Sequence, residues 1–201
     1  EEAARLRDLI VTIRKLQARQ YVDGQAADLD VLAVAMQGAS ACVLLLAFRD
    51  GRNLGTRAFF PKTNGAAPEE VLAAFVSQYY AEQPPPREIV LDRDVPDRDL
   101  IEIALTETAG RKVQVKHNVR GERAGYVDLV KRNAELASTL LVYFDCNQNA
   151  KTTAQRLTIH VNTVRQRLAT IEYAAVATVA IDHTDRRAVG PFVFFDHFGP
   201  I

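Results

Sequence analysis

Four aspartates stand where a chain could hold metal ions. Asp28 and Asp30 precede an apolar run, VLAVA, and Asp92 and Asp94 follow another, EIVL. If the two runs are neighbouring strands, their ends bring carboxylates together, and paired carboxylates can hold two divalent ions that clamp the attacking and leaving oxygens of a phosphodiester. The interior of the first run, Val31 to Ala35, carries no carboxylate, however, and aspartates at strand ends are common as turn and capping residues. The sequence therefore predicts no catalytic residue, no metal ligand and no cofactor. His117, between Lys116 and Asn118, reads as a surface residue, and His183 and His197 are lone imidazoles with no partner at ligand spacing. Cys42, inside an apolar run, and Cys146, at an expected helix end, read as buried or half-buried thiols, which fits a reducing cytoplasm.

A second set of residues could bind nucleic acid. In LLVYFDCNQNAKTTAQRLTIHVNTVRQRLATIE a helix from Ser138 to about Asp145 is followed by a polar break at Cys146 to Gln148 and a short helix around Asn149 to Arg156. A turn at Thr158 to His160 and a helix from about Asn162 complete a helix-turn-helix pattern. Ala154 lets two helices approach, and Leu157, Ile159, Val164 and Leu168 are spaced to form a core between them. Asn162 is expected to cap the last helix through its side-chain oxygen. Thr163, Arg165 and Gln166 then lie at that helix's start, with His160 before it and Lys151 on the shorter helix, as donors for phosphates and base edges. The alternative is a helical hairpin that only packs on the preceding domain.

The whole chain carries 25 basic and 25 acidic side chains, so no net field steers it to nucleic acid or to an anionic membrane. Charge is local. Arg87 to Thr108 holds seven acids against three arginines, whereas Arg111 to Ala137 holds seven bases against three acids. Only the second segment could face phosphate, through Arg120, Arg123, Lys131 and Arg132; a solvated surface of mixed sign is the alternative. The longest uncharged apolar run, Ala39 to Phe48, is too short to span a bilayer, so no membrane partner is expected, and no small-molecule substrate is evident. The acidic start EEAARLRD is unlike a signal peptide, and the chain begins without Met, as a fragment does.

Those residues need elements to position them. Ala3, Leu6, Leu9, Ile10, Ile13 and Leu16 recur at helical spacing, so residues 1–24 predict an amphipathic helix that packs within the chain or on a partner. Leu29 to Ala35, Ala41 to Phe48 and Leu54 to Phe60 read as three strands, the last two joined by Asp50-Gly51. Pro68 opens a helix that Pro84, Pro85 and Pro86 end. A strand at Glu88 to Leu91, a helix from Asp97 to Ala109 closed by Gly110, a strand at Lys112 to Lys116 and a basic helix from about Glu122 follow. The expected fold class is α/β: a three-strand meander, then alternating helices and strands, as in ribonuclease H. An amphipathic helix precedes it and a small all-α helix-turn-helix follows.

Three resemblances attach to these segments. EAARLRDLI resembles the UVR motif through which the UvrC subunit of the bacterial excinuclease docks on UvrB, and residues 28–137 resemble the UvrC segment that follows it. The carriers are LAVAMQGASACVLLLAFRDGRNLGTRAFFPK, PREIVLD and AGRKVQVKHNVRGERAGYVDLVKRNAELA. In that family the segment precedes the nuclease domain of the second incision. The resemblance implies a non-catalytic, DNA-binding part of a nucleotide excision repair protein in the cytoplasm. Its partners would be double-stranded DNA and a UvrB-like protein held by Leu6, Leu9, Ile10 and Ile13. Residues 138–173 resemble the helix-turn-helix of PucR-type and CdaR-type regulators, through Asn149, Thr153, Ala154, Leu157, His160, Asn162, Thr163, Arg167 and Leu168. This implies, as an alternative, a sequence-specific transcription regulator. In residues 174–201, RRAVGPFVFFDHFGP resembles the opening strand of pirin, without the histidine-rich motif that would hold iron. A composite of three families, with no single evolved function, is the third reading.

Overall fold

The computed structural model describes residues 28–37 and 40–182, the last eleven of them as backbone only. The amphipathic segment with Leu6, Leu9, Ile10 and Ile13, the pirin-like tail, His183 and His197 all lie outside the described residues.

Three strands come first along the chain. Strand β1 (Asp28–Gln37) pairs antiparallel with β2 (Ser40–Arg49), and β2 with β3 (Arg52–Phe59). β-Branched and leucine residues fill the first two because both of their faces are covered. Asp50 and Gly51 join β2 to β3 with φ of 52° and 71°, the left-handed pair that a two-residue hairpin needs. Helix α1 (Pro68–Glu82) starts with Pro68, whose absent N–H costs nothing there, and the Glu70 carboxylate accepts from the Ala67 N–H at 2.8 Å. Strand β4 (Glu88–Leu91), helix α2 (Arg98–Ala109) and strand β5 (Gln114–Lys116) complete the sheet, with β4 parallel to both β1 and β5. The strand order is β3-β2-β1-β4-β5.

Helix α3 (Glu122–Asp145) covers the other face. Leu32, Val34, Val43, Leu45, Ile89 and Leu91 point to α1 and α2, where they meet Leu72, Val76, Tyr80 and Leu105. Leu29, Val31, Ala33, Leu44, Leu46 and Phe48 point to α3, onto Tyr126, Val130, Ala134 and Ala137. Phe48 and Tyr126 pack with ring centroids 4.8 Å apart. Helix α4 (Ala150–Leu157) and helix α5 (Val161–Asp182) follow, and a small core of Val142, Cys146 and Leu157 seats the hairpin on the end of α3.

The order of elements is the expected ribonuclease H-like α/β arrangement, and two details differ from the sequence reading. The basic helix and the helix expected from Ser138 are one helix, so the boundary placed at 137/138 falls within it. Ala137, Ser138 and Thr139 are all buried, and no residue there opposes helical geometry. Strand β5 is shorter than Lys112 to Lys116 because Val113 is held by α2: its N–H donates to Thr106 Oγ1 at 3.1 Å.

Candidate nucleic-acid interface

On α3 the residues that pack on the sheet leave Lys131 and Arg132 on the opposite, exposed side. Arg132 Nε donates to its own helix at Asp128 O, 3.3 Å, which leaves the rest of its guanidinium outward. Arg120, in the loop before α3, is exposed. Arg123 is different. Its guanidinium donates to Glu88 Oε2 at 2.7 Å, and Lys116 Nζ donates to Glu88 Oε1 at 3.1 Å. Burial would raise the Glu88 carboxyl, but the hydrogen bonds from Arg123 and Lys116 outweigh it and hold the group below the usual carboxylate range. Arg123 is thus committed to tying α3 to β4.

The hairpin divides its polar residues in the same way. Asn149 caps α4, its Oδ1 accepting from the N–H groups of Lys151 and Thr152 at 3.0 and 3.1 Å. Thr158 takes the left-handed conformation at the end of α4, with φ of 55°. Asn162 does not cap α5, contrary to expectation. The imidazole of His160, two residues earlier, accepts the Asn162 N–H at Nδ1, 3.2 Å, and the Asn162 amide oxygen instead faces Arg165 Nη1 at 3.5 Å. The cap falls to His160 because the chain turns two residues sooner: α5 opens at Val161, and Asn162 already lies inside it. Asn162, Arg165 and Gln166 are exposed and Thr163 half-buried at the start of this helix, with Lys151 exposed on α4.

One arginine of the hairpin is used within the fold, and another only pairs at the surface. Arg167 donates to Thr139 Oγ1 at 2.9 Å and to Glu135 Oε2 at 2.8 Å, which fastens α5 to α3. Arg156 lies 3.9 Å from Asp145. Sequence spacing puts Arg167 in a motif but cannot say which helix it meets, so its docking role was missed.

The four aspartates do not converge. Asp30 is fully buried within β1, on the side facing α1, so it neither caps nor turns the chain as expected of a strand-end aspartate. Its carboxylate accepts from Arg49 at 2.5 and 3.1 Å and from the Tyr80 hydroxyl at 2.6 Å. Burial, then the adjoining Asp30, holds the Tyr80 proton well above the usual phenol range, so Tyr80 is a donor throughout the physiological range. Arg49 stands directly opposite Asp28 in the hairpin, diagonal to Asp30, a signal that strand register could have supplied. Asp92, just past β4, has a buried side chain whose carboxylate takes Arg93 at 2.8 Å. Arg93 in turn donates to the Val34 carbonyl at 3.2 Å, over the carboxyl end of β1. Asp94 remains 63% exposed, with Arg98 Nε and His117 Nδ1 at 3.2 and 3.3 Å from one of its oxygens, distances without hydrogen-bond geometry. No group of three His, Cys, Asp or Glu able to hold a metal ion occurs among the described residues. Burial pushes the Cys42 thiol up to about 12, which keeps it protonated and unreactive. Among the described residues, no helix is long and apolar enough to cross a membrane.

The model of the UvrC ribonuclease H-like domain matches residues 28–140, and that of the PucR C-terminal helix-turn-helix domain matches residues 136–178. The chain is 58% identical over 204 aligned positions to the UvrABC system protein C of Stenotrophomonas maltophilia (strain K279a), covering 100% of this chain and 32% of that protein. The protein of the same name from Xanthomonas campestris pv. campestris (strain 8004) is 55% identical over the same shares. That from Xanthomonas oryzae pv. oryzae (strain PXO99A) is 53% identical, again over 100% and 32%. The chain thus spans about a third of the length of the curated relatives it matches.

Proposed function

Because the chain belongs to the UvrC ribonuclease H-like family, we propose that it is a non-catalytic, DNA-contacting and UvrB-binding portion of a nucleotide excision repair protein of the cytoplasm. The observation that carries the non-catalytic part is the pairing of both buried carboxylates with the chain's own arginines, Asp30 with Arg49 and Asp92 with Arg93. Two divalent ions need carboxylates whose charge is not already matched. The DNA-contacting part rests on Arg120, Lys131 and Arg132 beside α3 and on Lys151, Asn162, Thr163, Arg165 and Gln166 of the hairpin, with His160 setting the start of α5. The partner-binding part rests on the stripe Leu6, Leu9, Ile10 and Ile13. In this reading residues 1–24 bind the partner, 28–137 form the α/β unit, and 138–173 add the helix-turn-helix, with 174–201 beyond it.

The test joins two assays on the full chain. Incubation with damaged duplex and Mg²⁺ or Mn²⁺ is expected to give no incision; incision that Asp30→Ala abolishes would overturn the non-catalytic reading. Retention of a UvrB-like protein on the immobilised chain is expected, and its loss in a Leu6→Asp, Ile13→Asp variant. No retention by the unaltered chain would sink the partner role.

The match of residues 136–178 to a regulator's helix-turn-helix favours a second reading, an operator-binding regulator. Replacing Asn162, Thr163 and Arg165 with Ala would then remove preference for one sequence and leave partner retention untouched. An alignment that spans 100% of the chain with a single kind of protein weighs against a composite polypeptide.

A further inference from the structure

The side of α2 turned away from the sheet is both apolar and acidic. Leu100 and Ile103, one turn apart, are 63% and 56% exposed, while Leu105 of the same helix is buried against the sheet. Asp97, Asp99 and Glu107 border them, all exposed. The one basic residue of the helix, Arg98, is already engaged, within 3.0 Å of Asp99 and donating to the Val115 carbonyl at 3.1 Å. Two large apolar side chains in an acidic frame suit an amphipathic helix with basic flanks.

We infer that this face seats residues 4–16 of the same chain. Their apolar stripe, Leu6, Leu9, Ile10 and Ile13, has Arg5, Arg7, Arg14 and Lys15 beside it, which matches both the apolar pair and the surrounding carboxylates. Reach is not limiting. The sheet register aligns Leu29 with Glu88 and Glu88 with Gln114, so the start of β1 lies two strands from the start of β5, about 10 Å across the sheet. The C-terminal end of α2, Ala109, comes only five residues before Gln114. Eleven residues, 17–27, separate that segment from β1 in the sequence, and a chain of that length spans up to about 35 Å when extended.

The contact has a regulatory consequence that rests on the partner-binding reading above. A stripe seated on α2 is unavailable to a UvrB-like helix, so the partner must displace α2 to bind. The seat itself does not depend on that reading.

Engineered cysteines in the full chain test it. The native Cys42 and Cys146 are buried and stay out of the reaction. An Ile13→Cys, Ile103→Cys chain under mild oxidant is expected to form a disulfide within one molecule, whereas Ile13→Cys with Leu54→Cys, on the far edge strand, is not. No disulfide, or one only between molecules, overturns the inference, the latter pointing to a second copy as occupant. Leu100→Lys with Ile103→Lys, both at exposed positions, is expected to speed amide exchange over residues 4–16 at least tenfold; unchanged exchange also overturns it. If the partner-binding reading holds, the same variant retains a UvrB-like protein several-fold better. A disulfide without any partner retention would leave the seat standing and remove only the partner.

Discussion

Asp30 in the sheet and Arg165 at the start of α5 are polar side chains at positions where a DNA-handling protein would place its chemistry, and the fold treats them in opposite ways. Asp30 is fully buried and accepts three hydrogen bonds from Arg49 and Tyr80. Arg165 is exposed, and Asn162, its hydrogen-bond partner among the described residues, is neutral and exposed as well. The contrast runs through both regions. Around the sheet, Arg49, Arg93 and Arg123 each answer a carboxylate, so the polar groups there stabilise the fold. In the hairpin Arg167 does the same, while Lys151, Arg165 and Gln166 are left outward. A buried, compensated charge has little left to offer a ligand; an exposed one on a fixed helix start keeps its hydrogen bonds for a partner.

The contrast breaks most visibly at Arg49. Arg49→Ala leaves the buried Asp30 with only Tyr80, and urea denaturation should show a loss of about 3 kcal/mol, the lower end for a broken buried pair because Arg49 is a third exposed. Unchanged stability would mean that Asp30 is not held by charge. Leu157→Ala probes the small core of the hairpin, with an expected cost of about 2 kcal/mol. Hydrogen exchange should locate the loss in α4 and α5 and leave the sheet strands protected. If the strands loosen equally, hairpin and sheet unfold as one unit.

Arg167→Ala should cost about 1 kcal/mol, by loss of its bonds to Thr139 and Glu135, and should free α5 from α3 in the same exchange experiment. Glu88 gives the pH dependence. Its carboxyl is held below the usual range in the folded chain, so it contributes stability that is complete above the unfolded value and lost as pH falls through the folded one. Thermal melts should decline on acidification below about pH 4.5, and Glu88→Gln should flatten that part of the profile. The smallest effect on stability is expected outside. Replacing Lys131 with Ala should change stability by less than about 0.5 kcal/mol and lower the salt dependence of duplex binding by about one unit of slope. A slope that does not move would remove Lys131 from the interface.

Much of the fold was legible along the chain. The strands, the Asp50-Gly51 turn, the Pro68 start and the Gly110 stop are local signals, read from period, turn chemistry and caps. The errors came where a neighbour in space overrides the local signal. The change of resemblance at 137/138 marks a break along the chain, but packing on the sheet from one side and on Arg167 from the other keeps α3 continuous. Asn162 has the chemistry of a cap, yet the turn after Thr158 gives that place to His160.

The sequence by itself determined which segments become strands and helices, since period and turn residues act within a few positions of one another. It also determined that the run Val31 to Ala35 carries no carboxylate, while the burial of Asp30 inside β1 came from the fold. Only the tertiary structure decided which charges are spent. Asp30 meets Tyr80 across fifty residues, Arg93 meets Val34 across fifty-nine, and Arg167 meets Glu135 across thirty-two. Such pairings depend on strand register and helix packing, which bring distant side chains within 3 Å or so and which no local pattern encodes.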